Sequence, residues 1–63
     1  MTIEDKIEMY KEDLADLEEK LRVLYLKLNQ TKDLNEQIKL KTQIEVIQKS
    51  ISIIKRKIYE LTD

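Results

Sequence analysis

The chain has 63 residues, a formal net charge of −1, 40% charged and 41% apolar residues, and no Gly, Pro, Cys, His, Trp or Phe. This excludes a disulfide framework, a thiolate or zinc-ribbon site, an imidazole base or metal ligand and a glycine-rich phosphate loop, and it limits the chain to one small domain. The longest unbroken apolar run is Val23-Leu24-Tyr25-Leu26, too short for a membrane span or a signal peptide, so a cytoplasmic location and no membrane partner are expected.

The first predicted element is a helix over residues 3–29. Thr2 followed by Asp5 gives it a weak start signal. Its apolar residues are Ile3, Ile7, Tyr10, Leu14, Leu17, Leu21, Leu24 and Leu28. The steps alternate between four and three, the a/d seam of a coiled coil. A polar stretch follows, Asn29-Gln30-Thr31-Lys32-Asp33. Asn29 tolerates the left-handed conformation and is placed as the stop of the first helix. A tight turn is expected near 30–33. Asp33 and Glu36 have capping-box spacing, so Asp33 is the expected N-cap of a second helix over residues 34–61. Its seam is Leu40, Ile44, Ile47, Ile51, Ile54, Ile58 and Leu61. Composition agrees: Leu, Lys, Glu and Gln are good helix formers, and no Gly or Pro interrupts them.

The two seams do not share a register. With Leu28 at a, the following a positions would be Asn35, Thr42 and Lys49, whereas the second seam has Ile44, Ile51 and Ile58 there. A shift of two residues is neither a stutter nor a stammer. A chain reversal removes the need for continuity. Folding at about residue 32 sets Leu24 opposite Leu40, Leu21 opposite Ile44, Leu17 opposite Ile47 and Leu14 opposite Ile51. Tyr10 then faces Ile54, Ile7 faces Ile58 and Ile3 faces Leu61, and every pair of numbers adds to 64 or 65. The expected fold is all-α, one antiparallel helical hairpin over residues 1–63.

A hairpin buries one narrow seam, and in chains below ~70–80 residues the burial and entropy terms nearly cancel. Apolar residues also lie off the seam: Met9 and Val23 at c positions of the first helix, Val46 and Ile53 at c positions of the second, and Tyr25, Leu26, Leu34 and Ile38 toward the turn. They are the candidate oligomer interface. A second copy would cover them, giving a four-helix bundle.

Nothing in the chain points to chemistry. The first helix carries Glu4, Asp5, Glu8, Glu12, Asp13, Asp16, Glu18 and Glu19. A di-metal bundle turns such groups inward, but here the inward positions are Leu and Ile, so a solvated acidic face is expected. No cleft is expected that would raise one carboxyl's pKa for glycosidase-like work. Thr31, Ser50 and Ser52 have no neighbouring base. Asn29-Gln30-Thr31 fits the glycosylation pattern by chance. No catalytic residue, metal or cofactor is expected.

Basic residues gather at the turn end (Lys20, Arg22, Lys27, Lys32, Lys39, Lys41), while Lys49, Lys55, Arg56 and Lys57 are placed on the outer surface of the second helix. They are interleaved with the heptads, which excludes a basic-region zipper, and the pI near 5.5 opposes strong non-specific nucleic-acid binding. Solubility and i,i+4 pairing, such as Glu45 with Lys49, are the simpler reading.

In length, heptads and central turn the chain resembles the RNA-one-modulator type of plasmid protein, a helical hairpin that dimerises into a four-helix bundle and binds paired RNA loops. The resemblance spans the whole chain but includes no residue motif. That family reads RNA with a basic, aromatic-bearing first helix; this one is acidic over its first nineteen residues, so no functional residue carries over. The favoured expectation is a small dimeric protein–protein interaction module, an adaptor or regulator acting on another protein, with an RNA- or DNA-binding bundle and a purely structural oligomerisation piece as alternatives. Richness in Lys and Ile suggests a low-GC bacterium or its phages and plasmids. The charge pattern predicts a homodimer with loops at opposite ends.

Overall fold

The computed structural model describes residues 2–62, and the chain is two α-helices joined by a short turn: α1, Ile3–Gln30, and α2, Leu34–Thr62. Placed end to end, helices of 28 and 29 residues would reach about 85 Å at ~1.5 Å per residue. The Cα extents are 47 × 14 × 14 Å, so the helices lie side by side and antiparallel.

The capping differs in detail from expectation. Thr2 and Asp5, the weaker signal, form a complete capping box: the Asp5 N–H donates to Thr2 Oγ1 at 3.1 Å and the Thr2 N–H donates to Asp5 Oδ2 at 3.4 Å. Asp33 begins α2, but without Glu36 as its box partner. Its carbonyl accepts from the Gln37 N–H at 2.9 Å and its carboxylate from the Asn35 N–H at 3.0 Å. Its own N–H donates to Thr31 Oγ1 at 3.3 Å. The threonine hydroxyl thus takes the place expected of the Glu36 carboxylate.

Asn29 does not end α1, and none of the described residues has positive φ. The helix runs on to Gln30, and Thr31 leaves it in the extended region (φ −85, ψ 140) while its N–H still donates to the Lys27 carbonyl at 3.0 Å. With no glycine available, an extended exit avoids the left-handed penalty of a side-chain-bearing residue. The Thr31 carbonyl then accepts from Gln37 Nε2 at 3.1 Å, which ties the first turn of α2 back to the end of α1.

Along the seam, Leu40, Ile44 and Ile51 of α2 are buried. Ile7, Tyr10, Leu14, Leu17, Leu21, Leu24 and Leu28 of α1, with Ile47, Ile54, Ile58 and Leu61 of α2, are half-buried. Ile3 is the exception, 58% exposed. It sits at the open end, where no further turn of either helix flanks it. Three more side chains are half-buried without having been expected: Thr31 and Gln37 on the same line, and Ser50 beside it at a g position. Gln37 lies seven residues before Ile44, so the a line of α2 continues to the turn with a polar residue.

Candidate functional site

Around each helix the seam leaves two flanks. The heptad order puts g and c positions of both helices on one flank and e and b positions on the other, because like positions face each other across an antiparallel pair.

The g/c flank holds an open groove of about 700 Å³. Leu24 and Ile47 of the seam form its floor, Val23 and Val46 its apolar shoulders, and Lys20 and Lys27 stand on its rim with Asp16 and Glu19. Val23 is 43% exposed and Val46 58%. Met9 and Ile53, two heptads before Val23 and one after Val46, are similarly exposed. Ile53 also borders a shallow depression on the outside of α2 with Glu45, Gln48, Lys49 and Ser52.

The e/b flank is tied within the chain. Gln48 Nε2 donates to the Tyr25 hydroxyl at 2.8 Å. These residues are not level with each other. Helical side chains lean toward their own N-terminus, so Tyr25 reaches the height of Leu21 and Gln48 that of Ile44, which is a facing pair. Tyr25 was expected only as an interface residue; its ring remains exposed, but its hydroxyl serves the hairpin. Leu26, Leu34 and Ile38 are exposed near the turn.

Charged groups are mostly solvated. Lys57 is a correction: it does not simply point outward, because its Nζ lies 5.8 Å from the Tyr10 ring centroid across the hairpin. Position g flanks the seam, and a lysine stem can follow apolar surface there. Among the described residues the one salt bridge is Arg56–Glu60 at 3.6 Å, on an exposed face, rather than the expected Glu45–Lys49 pair. No three acidic side chains among the described residues converge where they could hold a metal ion. No described helix is long and apolar enough to cross a membrane.

No protein-family model matches the chain, and no curated protein or solved structure matches it either. The likeness to the RNA-one-modulator type therefore stays at the level of heptads and a central turn.

Proposed function

We propose that this protein is a small homodimeric protein–protein interaction module, an adaptor or regulator without catalytic activity, whose two hairpins pair into a four-helix bundle with loops at opposite ends and engage another protein. The observation that carries the reading is how little one hairpin buries. Only Leu40, Ile44 and Ile51 are buried among the described residues, while Met9, Val23, Val46 and Ile53 stay in water.

Area supports a missing partner. A compact monomer of 7.6 kDa would expose about 4,300 Å². This chain exposes 5325 Å². The excess, about 1,000 Å², is close to the ~800 Å² that each partner covers in a stable interface. The radius of gyration points the same way: 14.6 Å, against about 10.6 Å for a compact domain of this length.

Charge supports the orientation. Residues 1–19 carry eight acids and two lysines, net −6, and residues 45–63 carry three acids and four bases, net +1, so the terminal end is −5. Residues 20–44 carry six bases and two acids, so the turn end is +4. Hairpins turned end for end place opposite charges together, whereas hairpins with loops together oppose like charges.

Sedimentation equilibrium at micromolar concentration tests the association: about twice the chain mass is expected, and a folded monomer would refute it. Gln30→Cys tests the orientation. It should cross-link to a Thr2→Cys partner and not to itself. Recovery of one stoichiometric protein from the native host would support the adaptor role over a purely structural one.

A second reading, RNA or DNA binding, draws on the +4 turn end. Its test is a salt-dependent mobility shift with short duplex RNA or DNA.

A further inference from the structure

The exposed apolar residues of the g/c flank have a symmetry of their own. Met9 and Val23 are equally spaced about Asp16, and Val46 and Ile53 are equally spaced about the midpoint between Lys49 and Ser50. By the seam pairing, in which facing residues have numbers adding to 64 or 65, Asp16 and Lys49 stand at the same height along the hairpin. One point therefore centres both pairs, to within about one residue or ~1.5 Å.

From this coincidence we infer that the groove between Val23 and Val46 receives Met9 and Ile53 of a second copy, about a two-fold axis that passes beside Asp16. The inference rests on the proposed dimer and adds its face and register. Rotation about an axis crossing both helices lays α1 on the partner's α1 and α2 on the partner's α2, each antiparallel. Met9 then meets the partner's Val23, and Ile53 meets the partner's Val46. The groove occupies the turn half of the flank, and the apolar knobs that fill it come from the terminal half. Such a surface is self-complementary, as an isologous interface requires. Methionine suits the insertion because its unbranched thioether adapts to an irregular slot.

The charged residues of the flank follow the same centre. Asp13 lies opposite the partner's Lys20, and Lys39 opposite the partner's Glu60. Two like-charged juxtapositions remain: Lys6 with the partner's Lys27 near the ends, and Asp16 with its own copy at the axis. With loops together the match is looser: Met9 would stand two to three residues from the partner's Ile53. Val23 would then stand at the height of the partner's Lys41 and Thr42, between the c-position residues Lys39 and Val46.

Cysteine cross-linking reads the register directly. A residue beside a two-fold axis faces itself, so Asp16→Cys should yield disulfide-linked dimers under mild oxidation. Met9→Cys or Val23→Cys alone should not, but an equimolar mixture of those two variants should give the mixed dimer. Asp16→Asn, which keeps the shape and removes the repulsion, should tighten association about 1.5- to 2.5-fold. A wild-type chain that sediments as a monomer would overturn both the dimer and this register. A wild-type dimer in which Asp16→Cys fails to cross-link, or Val23→Cys links to itself, leaves the dimer standing and overturns the register alone.

Discussion

Replacing Ile44 by alanine gives a sharp test of the seam. Ile44 is 6% exposed, and the seam pairing sets it opposite Leu21, itself half-buried. Truncating a buried isoleucine costs about 2–5 kcal/mol through lost transfer energy and the residual cavity. Here the surrounding seam residues Leu21 and Ile47 are only half-buried and can partly close the cavity, so the lower part of the range applies, about 2–3 kcal/mol. Alanine is the better helix former by a few tenths of a kcal/mol, which trims the loss slightly. Ile38→Ala is the control: same residue types, same helix, but a side chain 63% exposed. It removes little buried area and should change stability by no more than ~0.5 kcal/mol. Urea unfolding followed by circular dichroism, at one protein concentration, separates the two. With a slope of ~1 kcal/mol/M for so small a chain, Ile44→Ala should lower the midpoint by about 2–3 M and Ile38→Ala by less than ~0.5 M. Equal shifts would mean that Ile44 is not packed against α1, and the hairpin reasoning would be wrong.

Two further outcomes follow from the turn and the flank. Asp33→Ala should cost about 1 kcal/mol, the worth of an N-cap, while Glu36→Ala should cost clearly less, because Thr31 rather than Glu36 holds the Asp33 N–H; thermal melts of the two variants rank them, and the reverse order would refute the assignment. Val46→Lys with Ile53→Lys should raise the dimer dissociation constant by at least tenfold and leave helicity intact, whereas Lys49→Ala on the outside should leave it within about twofold; analytical ultracentrifugation compares them, and equal effects would place the interface elsewhere.

The reversal of the chain was legible because the two heptad seams are out of register by two residues, neither a stutter nor a stammer, while their positions pair around one hinge. What the heptads did not reveal is local and polar. Asn29 had the intrinsic tolerance to end α1, but an extended exit through Thr31 costs less and leaves the Thr31 hydroxyl and carbonyl free to hold Asp33 and Gln37. Those bonds depend on the path of the turn, which spacing alone does not specify. Gln37 could have been found by stepping seven residues back from Ile44, but its polarity hid it from a search for apolar residues. Ile3 satisfies the periodicity, yet an end position lacks the neighbours that bury it. The candidate interface was legible as a stripe of c positions, Met9, Val23, Val46 and Ile53, with Tyr25, Leu26, Leu34 and Ile38 added toward the turn. The c positions already put Val23 and Val46 on one flank; the structure adds the groove between them and the bond from Gln48, by which Tyr25 also serves the hairpin.

In the proposed dimer, fold and orientation draw on different positions of this sequence, so they can be perturbed separately. The backbone macrodipoles of α1 and α2 oppose each other and nearly cancel at both ends of the hairpin. Its end-to-end polarity therefore comes from side chains, −5 at the termini against +4 at the turn. Glu8, Glu12 and Asp13 are exposed and lie off the seam. Neutralising them as Glu8→Gln, Glu12→Gln and Asp13→Asn removes three negative charges and leaves the terminal end at −2. The seam keeps every apolar contact, so the urea midpoint should move by less than ~0.5 M. The preference for loops at opposite ends should weaken, since the attraction of each turn end for the partner's termini scales with the product of their charges. In a sample carrying the Gln30→Cys reporter, the yield of self-linked dimer should rise relative to the parent, and added salt should raise the parent's yield in the same direction by screening. If neither the substitutions nor salt changes that yield, apolar packing on the g/c flank alone fixes the orientation, and the charge asymmetry has no part in it.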